Sequence, residues 1–89
     1  MNNKKQDPAE TRIAVLSVIV EDLEKSSELN QLLHLYADYV IGRMGIPYRK
    51  KKINIISLVL DAPQSMISEL SGKIGRIGGI TAKVAYAKV

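Results

Sequence analysis

Apolar side chains occupy nearly every position between residues 12 and 20. Ala14, Leu16, Val18 and Val20 fall on one face of an extended chain, and Ile13, Val15 and Ile19, interrupted by Ser17, fall on the other. A strand that is greasy on both faces belongs inside a sheet, so this segment predicts a central strand. The spacing then lengthens. Leu29, Leu32, Leu33, Tyr36, Ala37, Val40 and Ile41 recur at helical intervals after Ser26 or Ser27, either of which can cap a helix, and Gly42 is placed to stop it.

The stretch "RMGIPYRKKKINIISLVLDA" reads as a hairpin. Pro47 has no N–H to give a ladder, which puts its strand at an edge, and the basic run Arg49, Lys50, Lys51 and Lys52 falls near the turn. In the following strand Ile53, Ile55 and Val59 alternate with Ile56, Leu58 and Leu60, and both faces are again apolar. Ala62-Pro63 opens a second helix with Met66, Ile67, Leu70 and Ile74 as its buried stripe. Finally Ile80, Ala82, Val84 and Tyr86 alternate with Thr81, Lys83, Ala85 and Ala87 in a half-exposed strand.

The order β-α-β-β-α-β predicts an α+β, ferredoxin-like domain: a four-stranded antiparallel sheet, first and third strands central, with two helices on one face. Two helices cover one face only, yet both central strands are apolar on both. Ile13, Val15, Ile19, Ile55 and Val59 are therefore expected at an interface between subunits of a homodimer or higher homo-oligomer. Residues 12–89 form the single domain, and the polar, aperiodic residues 1–11 are expected to be a flexible tail. At 89 residues such a domain hides only about 60–65% of the surface its unfolded chain exposes, which a second subunit would improve.

Composition narrows the chemistry. The chain has no cysteine and a single histidine, which rules out a thiolate metal site or a disulfide framework. No metal or cofactor is expected, and no serine sits in a nucleophile motif, so an enzyme is not expected either. The longest apolar run, "IAVLSVIV", is too short to cross a bilayer, and a cytoplasmic protein with no membrane partner is the expectation. Charge is unevenly spread. Residues 1–42 carry four Lys/Arg against seven Asp/Glu, a net −3, whereas residues 43–89 carry nine against two, a net +7.

Four glycines in "LSGKIGRIGGI", residues 70–80, raise the question of a phosphate loop. The order is wrong: Gly72-Lys73 is followed by Ile74, and the glycines end a helix and precede a strand, the reverse of a P-loop. Gly72, Gly75 and Gly78 recur every third residue, a ridge expected to let a neighbouring backbone approach, and Gly78-Gly79 supplies the stop and turn. Lys73 and Arg76 remain possible anion contacts.

The segments "SVIVEDLEK", "LNQLLHLYADYVIGRMGIPYR", "INIISLVLDAP" and "LSGKIGRIGGITAKVAYAK" together resemble the small proteins grouped as iron-only hydrogenase system regulators. That resemblance implies a ferredoxin-like fold similar to ACT domains and to the ligand-binding domain of nickel-responsive repressors, and a regulatory, non-enzymatic role. The nickel site of those repressors uses several histidines and a cysteine and does not transfer to this chain. The dozen residues ahead of the first strand are also too few for their ribbon-helix-helix segment. ACT-like domains commonly bind small molecules where the first strand meets the first helix, which here is residues 20–27; the glycine often found in that loop is missing from "EDLEK".

Glu21, Asp22, Leu23 and Glu24 are accordingly candidate ligand contacts, although acidic side chains ahead of a helix are also explained by its dipole. His34 shares a predicted helix face with Asn30 and Asp38, and His34 and Asp38 are candidates for an inter-subunit ligand site. Arg49, Lys50, Lys51 and Lys52, with Lys73 and Arg76, are candidate anion contacts. A nucleic-acid role for them is the weaker alternative, because the central strands carry aliphatics where stacked bases would need rings and because edge lysines also guard against sheet-to-sheet pairing. The sequence thus points to an oligomeric regulatory or sensor module with a small-molecule effector or a protein partner. A plain interaction subunit without ligand is the third reading.

Overall fold

A computed structural model of the chain describes residues 10–88, and the tail expected over residues 1–11 lies outside the described residues except for Glu10 and Thr11. The elements follow the predicted order: β1 (Arg12–Val20), α1 (Ser26–Leu35), β2 (Val40–Tyr48), β3 (Ile53–Ala62), α2 (Gln64–Gly75) and β4 (Ile80–Tyr86). The strands form one antiparallel sheet in the order β2-β3-β1-β4, with β1 and β3 central. This is the α+β ferredoxin-like arrangement.

The core lies between the helices and one sheet face. Ala14, Leu16, Val18 and Val20 of β1 and Ile56, Leu58, Leu60 and Ala62 of β3 are buried against Leu29, Leu33 and Tyr36 and against Ile67, Leu70 and Ile74. Each buried Leu, Ile or Val among them contributes about 1.5–3 kcal/mol relative to exposure, and the period-two and period-3.6 patterns meet in this layer.

Among the described residues no helix lies over the opposite face. Cross-strand register aligns Ile46, Ile55 and Ile19 in one row and Gly42, Val59 and Val15 in another, with Met44, Ser57 and Ser17 between them. Val15, Ile19, Ile46, Ile55 and Met44 are 37–59% exposed. Asp61 and Lys83 lie on the same face, opposite Ile13 and Ser17 respectively.

Four local details differ from expectation. The helix predicted as far as Ile41 ends at Leu35, and a 3-10 turn over Ala37–Tyr39 delivers Val40 and Ile41 into β2. Helical spacing had extended into two β-branched residues that favour strand, and Val40 pairs with Leu60 across a bulge. Neither Ser26 nor Ser27 caps α1; Asp22 instead caps the 3-10 turn Leu23–Lys25 that leads into it, accepting from the Glu24 N–H at 3.1 Å. Pro63 stands just before the first residue of α2 rather than at it. The glycine ridge has no backbone against it either: Gly75 and Gly78 have open space where a Cβ would go, and Gly72 meets only the end of Arg76. The close approach is at Gly79, where φ is +82° and an added Cβ would lie 2.5 Å from the Cβ of Asp22.

Candidate functional site

The junction between β1 and α1 is tied down by its own residues. The N–H groups of Glu21 and Asp22 both donate to the Gly79 carbonyl, at 2.8 and 3.1 Å. The Glu21 carboxylate accepts from the Thr81 hydroxyl at 3.0–3.2 Å, and the Asp22 carboxylate is the cap already described. Glu24 and Leu23 are exposed. The three carboxylates therefore serve separate partners instead of converging, and among the described residues no group of three His, Asp or Glu side chains could hold a metal ion.

A second region lies along the outer side of α1, where the helix overhangs β2. One cleft of about 220 Å³ is lined by Ser26, Leu29, Asn30, Arg43, Gly45, Ile46, Pro47, Asn54 and Ile56. A second of about 310 Å³ continues it past Leu33, His34, Ala37, Val40 and Leu58, sharing Asn30 and Arg43. A shallow hollow bounded by Ser27, Asn30, Gln31 and His34 adjoins both. Within this groove Arg43 donates to Asn30 Oδ1 at 2.7 Å and the Asn54 amide donates to Ser26 Oγ at 3.4 Å.

Its origin is local. The bulge between Val40 and Gly42 turns Arg43 and Gly45 toward the helix side of the sheet, opposite Leu58 and Ile56, and Gly45 presents no side chain there. His34 lies in the groove with Asn30, whereas Asp38 falls in the 3-10 turn beyond the end of α1, so the predicted shared helix face stops at His34. Sequence reasoning passed over Arg43 and Asn54. Arg43 is the single charge in β2, which was the available signal; its place opposite the buried Leu58 follows from the bulge.

The basic candidates occupy two places. Arg49–Lys51 form a 3-10 turn at the hairpin tip, closed by Lys52 in the left-handed region with φ 57°. Lys73 and Arg76 stand at the C-terminal end of α2, where positive charge complements the helix dipole. Lys73 pairs with Glu69 at 3.3 Å and lies 5.4 Å from the Tyr36 ring, while the Tyr36 hydroxyl donates to Glu69. The tyrosine hydrogen bond, followed by that from Lys73, holds the Glu69 carboxyl below its ordinary range. Tyr36, followed by Glu69, raises Lys73 above its ordinary range.

The interface candidates Ile13, Val15, Ile19, Ile55 and Val59 all lie on the sheet face that no helix covers. Among the described residues no helix is long and apolar enough to cross a membrane.

Residues 12–84 match the profile of a family whose description reads "TM1266-like: Iron-only hydrogenase system regulator, putative". In structure the chain is similar to the uncharacterized protein TM1266 from Thermotoga maritima, with 39% identity and a TM-score of 0.85 over 89% of this chain and 100% of that one. A formyltetrahydrofolate deformylase from Pseudomonas putida shares the fold at 11% identity and a TM-score of 0.60, over 82% of this chain and 28% of that one. No curated protein matches the sequence.

Proposed function

The chain belongs to the TM1266-like family of iron-only hydrogenase system regulators, and from that premise we propose that it is a non-enzymatic sensor module. Its working unit is a homo-oligomer in which two copies cover each other's open sheet face, and it binds a small effector or a partner protein at the subunit boundary. The proposed setting is cytoplasmic. One observation carries the reading: a largely apolar surface, broken only by Ser17 and Ser57, runs over β2, β3 and β1 through Met44, Ile46, Ile55, Ile19, Val59 and Val15, and no helix of the described residues covers it. Soluble monomers rarely expose a contiguous apolar patch beyond a few hundred Å².

A second copy is the favoured cover because the patch is mostly apolar, with two small serines between its aliphatic rows, and carries both Asp61 and Lys83 toward its margins, so two identical faces can meet without a like-charge cost. Nucleic acid has less to recommend it. The open face offers one ring, Tyr48, for base stacking, and Lys73 is engaged by Glu69.

Native mass spectrometry of the protein purified from its own host, followed by the same sample denatured, tests this reading. An oligomer that releases a small molecule or a second protein on denaturation is the expected result. An empty monomer would contradict it.

A further inference from the structure

From the groove between α1 and β2 we infer a binding site for a small organic acid: a carboxylate on a short apolar body, without an amine. The reasoning begins with what lines it. Among the described residues, no Asp or Glu borders the cleft, its continuation or the adjoining hollow. What does border them is the Arg43 guanidinium, the His34 imidazole, the Asn30, Gln31 and Asn54 amides and the Ser26 and Ser27 hydroxyls. A guanidinium presents paired N–H donors that match a carboxylate, and neutral amides and hydroxyls can complete its shell.

The floor is of the opposite character. Leu29 and Ile56 are buried beneath the cleft, with Ile46 and Pro47 at its rim. An anion with a short aliphatic body satisfies both walls. An ammonium group would not, because it would face the like charge of Arg43 with no carboxylate in the lining to pair with. The volumes, about 220 and 310 Å³, suit a ligand at or below the lower end of ordinary small-molecule sites.

Arg43 is already oriented by Asn30 at 2.7 Å, so the cation is held in place before a ligand arrives. Gly45 leaves the space. A Cβ built on it meets nothing within 4 Å, so the cleft exists because this strand position has no side chain. The groove is formed within one subunit, and the inference goes beyond the oligomer reading without depending on it.

The test is a titration of the ¹⁵N-labelled full chain with isovalerate, acetate, leucine and inorganic phosphate, followed by amide shifts. Isovalerate is expected to shift amides around Asn30, Arg43, Gly45 and Asn54 in a saturable way. Acetate, leucine and phosphate are each expected to bind at least tenfold more weakly. Arg43→Ala should weaken isovalerate at least tenfold, the effect of losing a charged hydrogen bond. Gly45→Val should abolish binding by filling the cleft while circular dichroism and the dispersed amide spectrum stay native. Scattered or unsaturable shifts, or isovalerate binding unchanged in both variants, would overturn the site. Phosphate or leucine binding as tightly as isovalerate would overturn the ligand class.

Discussion

Gly79 presses on Asp22: an added Cβ at the glycine would fall 2.5 Å from the Cβ of the aspartate, and the Gly79 carbonyl takes the N–H groups of both Glu21 and Asp22. This contact fastens the β1–α1 junction to the start of β4. Gly79→Ala adds a clash to a left-handed backbone and is expected to cost about 2–3 kcal/mol. Urea unfolding should show a lower midpoint with an unchanged slope.

Two neighbours on β1 separate the two faces of the sheet. Leu16 is fully buried under the helices, and Leu16→Ala is expected to destabilise by about 3 kcal/mol whatever the protein concentration. Val15→Ala, on the open face, should instead change stability only where the protein is concentrated enough to assemble. Thermal melts over a hundredfold concentration range distinguish these outcomes.

The Glu69 carboxyl should titrate below its ordinary 4.5, because the Tyr36 hydroxyl and Lys73 both favour its ionised form. A depressed folded value means stability that is present above the unfolded value and lost as pH falls through the folded one. In Tyr36→Phe the Glu69 midpoint should move up toward 4.5, and the stability difference from the parent should shrink in acid. Carbon-detected NMR titration of the glutamate side chains checks the shift.

Lys52 closes the hairpin with φ 57° and ψ 43°, a conformation that strains a residue with a Cβ. Lys52→Gly removes that strain against a smaller loss of chain entropy and is expected to stabilise by about 0.5–1 kcal/mol. The same melts read it directly.

Much of the fold was legible because β1 and β3 are apolar on both faces and α2 carries one clean helical stripe, and their central or helical places follow from that. The β2 boundary was not: Tyr36, Val40 and Ile41 continue the helical spacing of α1, and only pairing of Val40 with Leu60 on a distant strand decides that they leave it. The same limit hid the groove. Ser26, Asn30, Arg43 and Asn54 are scattered over three elements and join only when α1 is laid over β2. His34 could be picked out from the sequence, but its neighbour Arg43 depends on a bulge that no local pattern announces. The acidic loop was visible as a cluster, yet its partners Gly79 and Thr81 lie almost sixty residues away.

On the proposed reading, the open sheet face is an interface between copies. Sedimentation velocity of the full chain and of Ile55→Asp, from low micromolar to millimolar concentration, tests it most directly. The parent is expected to sediment as an oligomer and the variant as a folded monomer, since Ile55 sits mid-face, in register with both Ile19 and Ile46. A parent that stays monomeric throughout, or an oligomer indifferent to a charge at position 55, would contradict the account.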